Sequence, residues 1–113
     1  SPNEEVVHGI PNEKPLQEGD IISVDCGVLK NEFYGDSAYT YTVGEVAEET
    51  KQLLRVTKES LYNAIEQARV GNRLGDVSYA VQKKAKEYNI EDIVKKIIHE
   101  SFVKNNSSLT IKI

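Results

Sequence analysis

The chain has 113 residues, 39% hydrophobic and 28% charged, with a net charge of −4. That length suits one domain spanning residues 1–113, with a core of its own, and hardly two. The acidic balance offers no basic footprint for nucleic acid, and no apolar run approaches a membrane span.

Residues 1–20 are polar and punctuated by Pro2, Gly9, Pro11, Pro15 and Gly19. They read as an extended entry segment with turns. The segment lacks the apolar core of a signal peptide. No Met occurs anywhere and the chain starts Ser1-Pro2-Asn3, which suggests a processed or excised piece of something longer. His8 lies in Val6-Val7-His8-Gly9-Ile10-Pro11. A loop histidine there is ordinary, although the stiff Gly-Ile-Pro that follows could fix the ring over a site.

Two strand-like runs follow, Ile21 to Leu29 and Tyr34 to Val43, joined by a short segment with a turn-prone Asn31. Alternation puts Ile22, Val24, Cys26 and Val28 on one face, expected to be the core face. Cys26 reads as a buried small hydrophobe. As the lone cysteine it cannot form an internal disulfide, so nothing calls for an oxidising compartment and the expected setting is cytoplasmic. The opposite face carries Asp25 and Asp36 among small and polar residues, which suits a cleft floor. A hairpin centred between Lys30 and Asn31 would set Asp25 directly against Asp36, with Cβ atoms about 5 Å apart. Like charges so placed destabilise the pair unless a cation bridges them or they share a proton. Two exposed strand aspartates are the plainer alternative.

After Gly44 the period changes. Leu53, Leu54, Leu61, Ala64, Ile65 and Ala68 recur at three- and four-residue spacing, predicting a helix over roughly residues 47–69 that stops near Gly71. A second helix is expected from about Leu74, with Val77, Val81, Ala85 and Tyr88 inward. A third helical pattern runs from Ile90 to Phe102, then a loop at residues 105–108 and a short strand at residues 109–113. The order predicts an α+β domain: an antiparallel hairpin sheet with helices packed on one face. No phosphate-binding loop, dinucleotide fingerprint, nucleophile elbow or C-x-x-C is present. His99-Glu100 is not the start of an H-E-x-x-H zinc motif, because position 103 is Val.

Several motifs taken together resemble type I methionine aminopeptidase. They are Asn3-Glu4-Glu5-Val6-Val7-His8-Gly9-Ile10-Pro11, Glu18-Gly19-Asp20-Ile21-Ile22-Ser23-Val24-Asp25, Phe33-Tyr34-Gly35-Asp36-Ser37-Ala38-Tyr39-Thr40 and Val43-Gly44. The likeness continues through Leu53 to Leu61 and Gly71 to Gln82, covering roughly residues 1–88. It implies half of a pita-bread fold, built in that family from two pseudo-symmetric halves. The implied activity is removal of the initiator methionine from nascent polypeptides. The implied cofactor is a pair of divalent cations (cobalt, manganese, iron or zinc) held by two Asp, one His and two Glu. The two metal aspartates fall on Asp25 and Asp36, and the substrate-contacting, catalytic histidine falls on His8. After Tyr88 the likeness ends: no G-H-G-x-G occurs, and the two glutamates would lie beyond Ile113. The expected partners are therefore nascent peptide N-termini and either a second copy of the chain or a missing C-terminal half. A degenerate homologue that binds peptide or metal without hydrolysis is the alternative.

Overall fold

The structure is a computed structural model and describes residues 1–94. Two strands, β1 (Ile21–Lys30) and β2 (Phe33–Thr42), precede two helices, α1 (Glu48–Gln67) and α2 (Leu74–Glu87). The chain divides into two compact units, Ser1–Ala47 and Glu48–Ile113. The loop and terminal strand expected beyond Phe102 lie outside the described residues, as do His99 and Glu100. Of the third helical pattern, residues 90–94 are helical.

In the first unit, β1 and β2 pair antiparallel. Their turn is Asn31-Glu32, with φ of 51° and 66°. Two central residues at positive φ define the hairpin turn whose twist matches the strands, and Asn is well suited to its first position. The expected centre between Lys30 and Asn31 is therefore one residue too early. It would put Lys30 at positive φ, which a long side chain resists. The observed pairs are Asp25↔Ala38 and Gly27↔Asp36, so Asp25 and Asp36 are diagonal neighbours rather than directly opposed. Because each residue's partner moves by two positions, the division of side chains between faces survives the correction.

The entry segment extends this ribbon. Ser1 and Ser23 exchange two bonds, the amino terminus donating to the Ser23 carbonyl at 3.0 Å and the Ser23 N–H to the Ser1 carbonyl at 3.0 Å. Asn3 N–H donates to the Ile21 carbonyl at 2.9 Å, and its side-chain oxygen accepts from Ile21 N–H at 3.0 Å. Residues 1–3 thus lie along the outer edge of β1 as a short third rung. Asp20 locks the return. Its carboxylate accepts from Gln17 N–H at 2.8 Å and from the Asn3 amide at 3.1 Å. At the base of the hairpin, Gly19 N–H donates to the Val43 carbonyl and Val43 N–H to that of Asp20, each at 2.8 Å.

The face expected to be core is open. Val24, Val28, Tyr39 and Tyr41 are about half exposed, and Cys26 is exposed rather than buried. A two-stranded ribbon has no second layer of its own to cover an apolar face. The Tyr39 and Tyr41 rings instead shelter each other, tilted, with centroids 4.8 Å apart.

In the second unit, α1 and α2 match the expected helices closely, and Gly71 adopts the left-handed φ of 98° between them. Asp76 caps α2 by accepting from Arg73 N–H at 2.7 Å. The buried residues of α1 are Thr50, Val56, Ser60 and Ala64. Val56 is 1% exposed, a burial that contributes about 1.5–3 kcal/mol for an aliphatic side chain. Of the expected inward residues only Ala64 lies in this stripe, while Leu61 and Ile65 are exposed. Helix α1 carries apolar side chains on more than one face, so periodicity could not choose among them. Lys84 of α2 bonds the Glu59 carboxylate of α1 at 2.9 Å and lies 4.6 Å from the Tyr88 ring centroid. The partners adjust each other: the bond to Lys84 lowers the Glu59 pKa, and the bond to Glu59 raises that of Lys84.

The turn and the Asp20 lock can each be tested. Glu32→Gly should stabilise the chain by about 0.5–1 kcal/mol, because glycine takes the left-handed turn position without steric cost. Thermal melts would check it, and a lower melting temperature would contradict the turn assignment. The Gln17 N–H bond holds the Asp20 pKa below its ordinary 3.8 against the opposing effect of burial, with smaller help from Asn3 and Lys14. A depressed carboxylate contributes stability above the unfolded pKa and loses it as pH falls through the folded one. Asp20→Asn should therefore melt below the parent chain at neutral pH, by of the order of 1 kcal/mol. The gap should close as pH falls below the ordinary carboxylate range, and a pH-independent gap would refute the linkage.

Candidate functional site

The hairpin and the entry segment hold a cleft of about 490 Å³ whose lining includes Ser1, His8, Asp25, Gly27, Tyr34 and Asp36. All three site residues expected from sequence meet there. The strands supply the carboxylates and the entry segment supplies the histidine.

The aspartate face is built by strict alternation. Ser23, Asp25, Gly27 and Leu29 of β1 oppose Thr40, Ala38, Asp36 and Tyr34 of β2. Ser23 and Thr40 share a hydroxyl hydrogen bond of 2.8 Å, closing one side of the carboxylate pair. Beyond Asp36 on the other side stands Tyr34, 84% exposed. A diagonal pair has Cβ atoms up to about 7–8 Å apart. At fixed dielectric, moving two charges from about 5 Å to that distance reduces their repulsion by roughly a third. The carboxylates are therefore not pressed together and can still converge on a shared cation. Carboxylate oxygens are the donors that hard divalent ions prefer. The donor set fits part of such a site. Among the described residues, no group of three or more His, Cys, Asp or Glu side chains is arranged to hold a metal ion.

His8 reaches the cleft because the chain reverses there. It sits at φ 58°, in the left-handed region that histidine enters more readily than bulky residues do. The following Gly9 donates its N–H to Ser1 Oγ at 3.0 Å, anchoring the loop to the residue paired with β1. A Cβ on Gly9 would collide with the Glu5 carboxylate and lie 2.9 Å from Ser1 Cα, so no side chain fits. Sequence reasoning placed Gly27 and Tyr34 on the aspartate face, where they line the cleft, but missed Ser1. The role of Ser1 depends on a long-range pairing that no local pattern encodes.

The model of metallopeptidase family M24 matches residues 1–105. The chain belongs to that family. Methionine aminopeptidase of Clostridium acetobutylicum is 52% identical over 82 residues, covering 72% of this chain and 33% of the relative. That of Aquifex aeolicus is 42% identical over 113 aligned residues, 92% of this chain and 44% of the relative. The crystal structure of methionine aminopeptidase from Rickettsia prowazekii superposes with a TM-score of 0.76 at 45% identity, covering 79% of this chain and 36% of that one. The Thermotoga maritima enzyme gives 0.73 at 52% identity, with 77% and 35% covered. The chain spans between a third and a half of the length of these curated relatives. Its hairpin and helices are part of the α+β pita-bread fold of those neighbours.

The Gly9 contacts give a direct test of the loop. Gly9→Ala should cost about 1–3 kcal/mol by overpacking and move the His8 imidazole resonances. A variant with parental stability and an unshifted His8 spectrum would show that this close approach does not hold the loop.

Proposed function

We propose that residues 1–113 are part of one methionine aminopeptidase-like domain. In this reading the chain supplies two metal-binding carboxylates and the substrate-contacting histidine of an enzyme that removes initiator methionine from nascent peptides. The observation that carries it is the meeting of His8, Asp25 and Asp36 in one cleft of a metallopeptidase-family chain. The family match runs through both compact units, which supports treating them as portions of one domain.

Asp25 and Asp36 would hold divalent cations, two in a complete site, with cobalt, manganese, iron and zinc the candidates. Such ions, when bound, lower the pKa of a water and polarise the scissile carbonyl. His8 would donate a hydrogen bond to the substrate amide, at a position set by the Gly9–Ser1 anchor. The acidic cleft also favours the positive charge of a peptide amino terminus. The substrate implies a cytoplasmic setting, and no described helix is long and apolar enough to cross a membrane. A complete donor set calls for one more histidine and two glutamates. These would come from a second copy of the chain or from a C-terminal half.

The absence of a third clustered ligand among the described residues favours a second reading for the isolated chain: weak binding of metal or peptide without turnover. Calorimetric titration with Mn²⁺ and hydrolysis of a Met-Ala-Ser peptide separate the two. The proposal expects Mn²⁺ binding that Asp36→Ala weakens by at least about tenfold. It expects hydrolysis only when the complementary ligands are supplied. Binding unchanged by Asp36→Ala would remove the metal role. Binding without hydrolysis, under every complementation, would leave the non-catalytic reading.

A further inference from the structure

The main-chain bonds fix which backbone groups of the hairpin point outward. Ile21 and Ser23 turn their N–H and C=O groups to the outer edge of β1, where Asn3 and Ser1 take them up. Antiparallel pairing alternates, so the residues opposite, Thr42 and Thr40, turn theirs to the outer edge of β2. Ala38, Asp36 and Tyr34 follow by the same alternation. The two edges are therefore unlike. That of β1 is covered by residues 1–3, whereas no strand lies beyond β2 among the described residues. Edge strands that stay single are guarded by Pro, Lys, a bulge or short length. β2 has ten residues, pairs one-to-one with β1, contains no Pro or Lys, and carries Asp36 as its only charge.

We infer that the outer edge of β2 docks the same edge of a second copy, antiparallel and two-fold symmetric, with Ser37 facing its counterpart. Such a pair needs only one self-complementary strand, and a two-fold axis normal to the sheet keeps like faces together. In this register Tyr34 pairs with the partner's Thr40 and Asp36 with the partner's Ala38, each pair exchanging two main-chain bonds. On the opposite face Tyr41 meets the partner's Phe33, and Tyr39 covers the partner's Gly35. Cross-strand pairing favours both contacts, and Phe33, Tyr39 and Tyr41 are at least half exposed in the single chain. A register centred on Ala38 loses the Tyr41–Phe33 contact. The Ser37-centred register also sets Asp36 diagonal to the partner's Asp36, at up to about 7–8 Å. Each copy thus adds a carboxylate beside the other's pair. One strand pairing is small beside interfaces that hold on their own, and the added carboxylates repel. A divalent cation removes that repulsion, so association and cation binding strengthen each other. The inference rests on the metal reading of Asp25 and Asp36, and names the second copy's mode of attachment.

The experiment uses the full 113-residue chain, with sedimentation equilibrium for mass and calorimetry for Mn²⁺ binding. Mn²⁺ should tighten self-association by at least about tenfold, and Asp36→Ala should abolish that dependence. Ala38→Pro should stay monomeric with Mn²⁺ present, because its ring removes an outward N–H that β1 does not use. The register is read with Cys26→Ser/Ser37→Cys, which also removes the native thiol directly opposite Ser37. Oxidation should trap this variant as a covalent dimer. Facing strand residues that exchange no main-chain bonds have Cα atoms within disulfide reach. The trapping also provides the reading should the proline variant fail to fold. Mn²⁺ binding by a chain that stays monomeric would overturn the inference alone and leave the metal reading standing. No Mn²⁺ binding by the parent chain would overturn both. A dimer that Ala38→Pro leaves intact, or no covalent dimer on oxidation, would overturn the pairing through β2.

Discussion

The two-residue turn at Asn31-Glu32 is the constraint on which the candidate site depends. Its two left-handed residues set which positions of β1 and β2 face each other, and so the relation between the two carboxylates. A slip of one residue in the pairing would send one aspartate to the opposite face, and no site would remain. A slip of two, as a turn centred one residue earlier would give, keeps both on one face but presses them directly together. The observed register is the intermediate solution. It brings the carboxylates close enough to share a cation and far enough apart to tolerate each other without one. Turn geometry thus decides an electrostatic question several residues away.

The same logic explains what could be read from sequence. Alternation is a local property, so the aspartate face and its small, polar character were legible from the residue pattern alone. Helix existence was equally legible, because α1 and α2 have long periodic runs bounded by Gly71 and the Asp76 cap. Register was not legible by spacing alone. It turns on which residues accept positive φ, and Asn31 as first central residue of the turn was the available signal. The buried stripe of α1 was also ambiguous. Thr50 and Ser60 are buried beside Val56 and Ala64, while Leu61 and Ile65 are exposed, so hydrophobicity ranked the wrong residues as inward.

The anchoring of His8 shows a different limit. Its loop is held by Gly9 against Ser1, and Ser1 is held by a pairing with Ser23 that spans 22 positions. Asp20 closes the other end of that excursion through Gln17 and Asn3. No periodicity reports such contacts. Only a motif carried whole, His8-Gly9-Ile10-Pro11 within a longer run, pointed to the histidine in advance. The physical content of that motif is a left-handed histidine followed by a glycine where no Cβ fits.

The exposed face of the ribbon bears on how far the chain is self-sufficient. Val24, Val28, Tyr39 and Tyr41 lie on the side away from the carboxylates, about half exposed. A lone two-stranded hairpin is marginal in water, and sheets gain independent stability from further strands or a packed layer. The short rung at residues 1–3 supplies part of that need on the β1 side. The curated relatives are two to three times longer than this chain's matched span. If Asp25 and Asp36 serve a metal site, completing its ligands and covering the sheet would be linked requirements. Among the described residues, the partial donor set and the uncovered hairpin are then one physical problem, because a cation can hold Asp25 and Asp36 firmly only if the strands carrying them are themselves held.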